Sequence, residues 1–259
     1  MEEPLVLYSI ADRIATITMN RPEKRNALNP DMVNLLTAKM LEAAADEHVK
    51  VVILKANGSS FSAGADLAYL QQLQHYSIEE NLNDSRNLKN LYYTIYTLPK
   101  VVIAQVEGHA IAGGCGLTTV CDFVFAVPEA NFGYTEVKLG FVPAIVSCFL
   151  MRKTSETLAK QLLLTGELFN AQQAYDYRLI NFVTNKEIIG QKTRDFALNL
   201  CNTASANSLM VTKQLITQTT NPGLSQSLDV AVQLNAQVRN SKDFKLGIAS
   251  FLQKEKINW

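Results

Sequence analysis

Apolar and polar residues alternate along the first two-thirds of the chain in blocks that predict strands followed by helices. Leu5–Ile10 and Ile14–Met19 are rich in Ile, Val, Thr and Tyr, the composition of a half-buried strand pair. Met32–Asp46 repeats its apolar residues every 3.6 positions, which predicts a helix. Asn29-Pro30-Asp31 supplies a start signal for that helix.

Three further apolar runs predict buried strands, at Val51–Lys55, Val101–Val106 and Phe123–Ala126. Residues 69–98 are mostly helical in pattern, with a polar middle at 81–84 that we expect to be mobile. From about residue 154 the pattern is almost wholly helical. Repeated strand-then-helix units predict an α/β layered core with parallel strands.

The helical tail carries apolar positions whose burial the pattern leaves open. They pack either on another subunit or back onto the chain's own core. No linker rich in Gly, Ser or Pro precedes the tail, so we predict one continuous unit. Within it, residues 1–195 form the core and residues 196–259 a helical C-terminal region. The apolar tail positions are Phe196, Leu200, Leu209 and Leu215.

Composition excludes several classes of protein. The 259 residues include 24 Lys and Arg and 24 Asp and Glu, so the net charge is zero and no broad basic surface for nucleic acid or anionic membranes is expected. No apolar run reaches the ~18 residues of a transmembrane helix. The start, Met1-Glu2-Glu3-Pro4, lacks the features of a signal peptide, so we expect a cytoplasmic protein. Four Cys without C-x-x-C spacing and three His predict no metal site.

Two glycine- and alanine-rich segments, Phe61–Asp66 and Gly108–Gly116, each follow a predicted strand and precede a predicted helix. Small residues allow a ligand to approach the backbone, and the N–H groups at a helix start are unpaired and electropositive. Two such N–H groups converging on one point would form an oxyanion hole, in which each donor is worth roughly 3–4 kcal/mol. Close packing is the alternative interpretation. Two glycine motifs that bind phosphate groups, the P-loop G-x-x-x-x-G-K-[ST] and the dinucleotide-binding G-x-G-x-x-G, are both absent from the sequence.

Together with other motifs in a fixed order, these segments resemble the crotonase, or enoyl-CoA hydratase/isomerase, superfamily over nearly the whole chain. The motifs are Asn20–Leu28, Phe61–Asp66, Gly108–Gly116, Cys121-Asp122, Phe132–Glu136, Leu139–Pro143 and Ala249–Leu252 with the terminal Trp259.

The resemblance implies a crotonase fold, a spiral of ββα units with a helical C-terminal region that trimerises. It implies a homotrimer or a dimer of trimers. The expected substrate is an acyl-CoA thioester, with no other cofactor and no metal. The resemblance places CoA contacts at Lys24, Arg25, Ala27, Ala63, Asp66, Phe251 and Lys254. We also expect Asp66 to cap the helix that follows it.

The same resemblance assigns the chemistry. The backbone N–H groups of Ala65 and Gly113 are the expected oxyanion donors, and Glu136, after the Phe-Gly-x-x motif, is the expected acid/base. Hydratases of the superfamily use a second glutamate, and its position holds Gly116 here. A glycine cannot bind or protonate water, so this departure puts the two-glutamate mechanism in question.

The glycine at position 116 leaves three functions open. Reversible hydration of a 2-enoyl-CoA is our leading prediction, with a replacement group supplied by the substrate's own carboxylate or by the segment that contains His75, Tyr76, Glu79, Glu80 and Asp84. A Δ3,Δ2-enoyl-CoA isomerase needs only one glutamate. A non-catalytic binder of acyl-CoA or of a protein is the third outcome.

Two features bear on the acyl pocket. The stretch after Pro143, Ala144–Phe149, resembles methylglutaconyl-CoA hydratases of leucine breakdown, and its branched residues favour a branched acyl group. Tyr92, Tyr93 and Tyr96 form an aromatic cluster at helical spacing, which we expect to line the core or the acyl pocket.

Overall fold

The chain begins with an antiparallel hairpin, as predicted. The computed structural model describes residues 3–219, 223–240 and 242–255. Strands β1 (Val6–Ala11) and β2 (Ile14–Met19) pair antiparallel. Asp12 and Arg13 join them with φ of 52° and 66°, the left-handed turn conformation that matches the twist of the two strands.

The remaining elements alternate strands and helices up to residue 126 and are mostly helical afterwards. In chain order they are α1 (Pro30–Ala45), β3 (Val51–Ala56), β4 (Ser60–Ser62), α2 (Leu67–Leu73), α3 (Ile78–Thr97), β5 (Val101–Val106), β6 (His109–Ile111), α4 (Gly113–Val120), β7 (Phe123–Ala126), β8 (Asn131–Gly133), α5 (Ala144–Lys153), α6 (Glu156–Thr165), β9 (Phe169–Asn170), α7 (Ala171–Asp176), β10 (Phe182–Val183), α8 (Lys186–Thr203), α9 (Ala206–Thr219), α10 (Leu224–Val238) and α11 (Lys242–Gln253).

Two sheets organise these elements. The larger has the order β1-β2-β3-β5-β7-β10 and is parallel from β2 onward. The smaller has the order β4-β6-β8-β9, with its first three strands parallel. The strands β3, β5 and β7 each lead, within a few residues, to one strand of the small sheet and then to a helix. This repeat confirms the predicted α/β spiral of ββα units.

The core lies between the large sheet and the helices that cover it. Every residue of β5 is buried, as expected for a strand of a parallel sheet covered on both faces. Helix α1 begins as predicted: Asn29 accepts a hydrogen bond from the Met32 amide, and Pro30 occupies the first helical position. Of the four cysteines, three are buried and Cys148 is partly buried, and none forms a disulfide.

The predicted helix over residues 69–98 is two helices. It breaks between Leu73 and Ile78, where Ser77 and Glu80 form a capping box that starts α3. The polar residues expected to be mobile lie inside α3, and Asn81 is fully buried. Its amide donates to the Tyr76 carbonyl oxygen at 3.2 Å, and its own carbonyl accepts from Arg239, the residue directly after α10. Tertiary packing of α10 on α3 therefore buries a segment whose polarity suggested solvent.

The C-terminal region folds back on the core over much of its described length. Phe196, Leu200 and Leu209 pack against the core, whereas Leu215 is 57% exposed. The predicted boundary at residue 195 lies within α8, and Trp259 lies outside the described residues. The trimer remains a prediction. Within the described ranges, no helix has both the length and the apolar character needed to cross a bilayer.

Candidate active site

The three parallel strands of the small sheet each lead into one of the predicted site residues. Ala65 follows β4, Gly113 follows β6 and Glu136 follows β8, each within three residues of the strand's end. The carboxyl ends of neighbouring parallel strands lie at the same edge of a sheet, so the topology brings the three together. All three line one cavity of about 600 Å³.

The two predicted oxyanion donors lie on segments in contact with each other. The Leu28 amide donates to the Gly64 carbonyl and the Asp66 amide donates to the Leu28 carbonyl, so Ala65 points its own amide the other way. Gly113 is the first residue of α4, where helical amides lack intrahelical acceptors. Neither the Ala65 nor the Gly113 amide donates a hydrogen bond to the described part of the chain. A Cβ on Gly113 would lie 3.8 Å from the Cα of Gly64.

The turn before Gly113 is strained. Ala112 has φ 48° and ψ −120°, a region that a residue with a side chain rarely adopts and that costs about 1–3 kcal/mol. The Ala112 amide donates to the Gly133 carbonyl at 2.7 Å, which ties this turn to β8. This backbone conformation of Ala112 sets the direction of the Gly113 amide at the start of α4.

Glu136 is a buried carboxyl at the cavity wall. It is the first residue of a 3₁₀ turn, Glu136–Leu139, and is 9% exposed. Its Oε2 has no hydrogen-bond partner among the described residues. Burial raises the pKa of Glu136 to about 7. Near neutral pH this side chain therefore exists in both protonation states, as an acid/base group requires.

Gly116 lies behind the cavity wall and does not line the cavity. It is buried in α4, and the ring of Tyr92 occupies the space next to its Cα. Tyr92 itself lines the cavity and is 1% exposed. Tyr96 is partly buried against the core, whereas Tyr93 is 42% exposed, so the predicted pocket or core role does not extend to Tyr93.

Asp66 caps helix α2, as expected. Its Oδ1 accepts from the amides of Ala68 and Tyr69, and its Oδ2 accepts from Arg21 Nη1 at 2.6 Å. Burial acts to raise the pKa of Asp66, but the Arg21 hydrogen bond and charge and the two amides outweigh it and hold that pKa below its usual value. The ion pair fastens the segment that contains Ala65 to the loop after β2.

The predicted CoA contacts divide into two groups. Arg25, Ala63 and Phe251 line the cavity, and the Ala63 amide donates to the Arg25 carbonyl at 3.0 Å. Lys24, Ala27, Asp66 and Lys254 do not line it, although Lys24 and Lys254 are exposed. The CoA contacts of both groups remain predictions.

Of the five groups proposed to replace the second glutamate, Asp84 alone lines the cavity. It is already engaged: Oδ1 accepts from the Tyr69 hydroxyl at 2.5 Å, and Oδ2 pairs with Arg239. Several cavity residues were not identified by the sequence analysis, among them Leu28, just before α1, Val33, in the first turn of α1, and Arg239, directly after α10. Leu28 ends the Asn20–Leu28 motif, but its position in the cavity wall depends on the parallel β-bridge that it forms with Ala65.

Comparison with known proteins points to the same family as the sequence motifs. Residues 9–259 match the family model described as enoyl-CoA hydratase/isomerase. A Thermus thermophilus protein is 40% identical over 241 residues, covering 93% of this chain and 95% of its own. The 2,3-dehydroadipyl-CoA hydratase of Escherichia coli is 32% identical and covers 96% of each chain. The crystal structure of an enoyl-CoA hydratase from Mycobacterium avium, 30% identical, superposes with a TM-score of 0.87 over 100% of both chains.

Proposed function

The chain belongs to the enoyl-CoA hydratase/isomerase family, and we propose that it moves a proton between C2 and C4 of an enoyl-CoA thioester, the Δ3,Δ2 isomerisation. One observation carries this proposal. Among the described residues that line the cavity, Glu136 is the carboxyl without an ion-pair partner, and the position expected to supply a second one is blocked. Isomerisation needs one carboxyl, whereas hydration by two glutamates needs both.

The backbone amides of Ala65 and Gly113 hold the thioester oxygen in this mechanism. When the Glu136 carboxylate removes a proton from C2 of a 3-enoyl-CoA, negative charge moves onto that oxygen as an enolate. The two N–H groups stabilise the charge, and losing one such donor slows turnover by about 10²–10³. Glu136 then returns the proton to C4, and the double bond moves into conjugation with the thioester.

The pKa of Glu136 supports a two-way proton transfer. A group with a pKa of about 7 accepts a proton readily as the carboxylate and releases it readily as the acid at neutral pH. An ordinary solvated glutamate would hold the returning proton weakly. Burial without a neighbouring cation thus provides what the single-carboxyl reaction requires.

Hydration of a 2-enoyl-CoA is the second candidate. The Escherichia coli and Mycobacterium avium relatives are both named as hydratases, which favours it. In that reaction Glu136 would act on a water held by the substrate rather than by a second glutamate. Ile145 and Val146 line the cavity and give it a branched apolar wall, which supports an acyl group with a branch. The methylglutaconyl-type substrate belongs to this candidate.

We also propose that the protein is a cytoplasmic homotrimer or dimer of trimers. The exposed apolar residues of α9, Leu215 and Ile216, support burial of the C-terminal region against a neighbouring copy.

The test supplies the two substrates separately to the purified protein. Appearance of the conjugated 2-enoyl absorbance from a 3-enoyl-CoA supports isomerisation. Loss of that absorbance from a 2-enoyl-CoA supports hydration. Acyl-CoA binding without either change would contradict both reactions and favour the non-catalytic binder.

A further inference from the structure

The space beside Gly116 is filled by one side chain. A Cβ on Gly116 would lie 2.4 Å from the hydroxyl oxygen of Tyr92, 2.7 Å from Cζ and 2.9 Å from Cε2. Real Cβ atoms do not approach other atoms so closely. Any residue larger than glycine at this position therefore requires the outer half of the Tyr92 ring to move.

Tyr92 is held in place from three sides. It is buried in α3, its ring meets that of Phe149 edge-on with centroids 6.3 Å apart, and its hydroxyl donates to the Gly113 carbonyl at 2.7 Å. The hydroxyl also lies 3.3 Å from the position that a Cβ on Gly113 would take. Tyr92 thus contacts the residue whose amide is the proposed oxyanion donor, in the cavity that Glu136 also lines.

We propose that Tyr92 is a positioning and specificity-determining residue: its ring excludes a second acid/base side chain at position 116, and its hydroxyl anchors the Gly113 carbonyl and thereby holds the residue whose amide is the proposed donor. This inference rests on the proposed function for its effect on the reaction, but not for its steric part. The site is restricted to one-carboxyl chemistry because an aromatic ring from α3 occupies the room that a side chain from α4 would need.

Tyr92 cannot itself replace the missing carboxylate. Its hydroxyl proton is already donated to Gly113, and burial together with the nearby Glu136 raises the pKa of the phenol well above its usual range. At neutral pH it therefore remains a phenol and does not accept a proton from the substrate. Its contribution to the reaction is the orientation of the oxyanion donor and the exclusion of a second ionisable group.

The steric part is tested by thermal unfolding. Gly116→Ala lowers Tm by roughly 5 °C, since overpacking in a buried site destabilises a protein. Tyr92→Leu lacks all three clashing atoms but keeps the inner part of the side chain. In the Tyr92→Leu background, Gly116→Ala should no longer lower Tm. Equal losses of Tm in both backgrounds would overturn the steric assignment, whatever reaction the protein catalyses.

The positioning part is tested by Tyr92→Phe, which keeps the ring and removes the hydroxyl. We expect kcat for isomerisation to fall by about tenfold while KM changes by less than about twofold, because the lost bond orients a transition-state donor. Tyr93→Phe, on the exposed side of the same helix, is the matched control and should leave both constants unchanged. An unchanged kcat in Tyr92→Phe, or a change in KM alone, overturns the positioning role.

The specificity part is tested by restoring a carboxyl at position 116. Gly116→Glu alone should be destabilised and should not hydrate 2-enoyl-CoA, whereas Tyr92→Leu combined with Gly116→Glu should gain hydration. Hydration by Gly116→Glu alone at the wild-type Tm, or no hydration by a double variant with restored Tm, overturns the assignment. If the wild type turns over neither substrate, the proposed function fails, while the unfolding comparison still tests Tyr92.

Discussion

Gly64 and Ala112 meet where the two glycine-rich segments touch: a Cβ on Gly64 would lie 2.9 Å from the Cβ of Ala112 and 3.0 Å from the Ile111 carbonyl oxygen. Gly64 also has a φ of 86°, which a residue with a side chain adopts only under strain. The proposed oxyanion donors follow these two residues directly. The glycine therefore sets the distance between the two amides.

We predict that Gly64→Ala lowers kcat for the thioester reaction by at least about tenfold, because the added methyl group separates the two amides. Steady-state kinetics with an enoyl-CoA measure this effect. The matched control is Gly190→Ala in α8, where a Cβ would meet only Gln105 Nε2 at 3.7 Å. That change should leave kcat intact and stabilise the helix by about 1 kcal/mol. Wild-type kcat in Gly64→Ala would contradict the proposed geometry.

Glu136→Gln should abolish turnover while leaving acyl-CoA binding intact. The amide is nearly isosteric with the carboxyl but cannot carry the proton, so we expect kcat to fall by about 10³ or more. Calorimetric titration with a saturated acyl-CoA measures the binding. Glu129→Gln, at an exposed glutamate, is the control and should retain full activity. Full turnover in Glu136→Gln with every enoyl-CoA tested would rule out its acid/base role.

The rate of isomerisation should depend on the protonation of Glu136. With a pKa of about 7, the carboxylate that removes the C2 proton is lost below neutral pH. We predict that kcat/KM falls about tenfold per pH unit below 7 and reaches a plateau above it. A profile recorded from pH 5.5 to 8.5 measures this. A flat profile across that range would show that another group takes the proton.

The same carboxyl should lower the stability of the fold at high pH. The folded pKa of about 7 exceeds the reference value of 4.5, so the folded state binds more protons between these values and stability falls as pH rises through that window. The full penalty is about 3 kcal/mol. Glu136→Gln should therefore be more stable than the wild type by about this amount at pH 8 and by less than about 1 kcal/mol at pH 5.

Urea unfolding at the two pH values measures the difference. An equal gap between variant and wild type at both pH values would contradict a raised pKa. A stabilised but inactive variant is the expected outcome for a carboxyl buried for chemistry rather than for folding.

Much of the architecture was predictable because local signals agree with it. The hairpin, the buried strands, the start of α1 and the cap at Asp66 follow from strand composition, apolar runs and capping residues. The strands of the small sheet were implied only by the family resemblance and not by the residue pattern, since strands of three residues such as β4 and β6 carry too little pattern. The burial of Asn81 also depends on Arg239, a partner directly after α10 and far away in sequence.

The site residues that lie within sequence motifs could be predicted. The contacts between segments that are distant in the sequence could not. Ala65, Gly113 and Glu136 lie within recognisable motifs and line one cavity. The departure at Gly116 was visible in the sequence, but its cause was not, because Tyr92 lies 24 positions earlier on another helix. A sequence pattern cannot report which side chain fills a space opened by a glycine.

The three parallel strands of the small sheet lead to different kinds of functional group. The segments after β4 and β6 offer main-chain N–H groups, which every residue except proline possesses, whereas the segment after β8 offers a side chain. Substitutions in the segments after β4 and β6 can therefore preserve the hydrogen bonds to the thioester oxygen, provided that the backbone conformation is unchanged. The architecture is modular: a new reaction can evolve by exchanging side chains around an unchanged anchoring point.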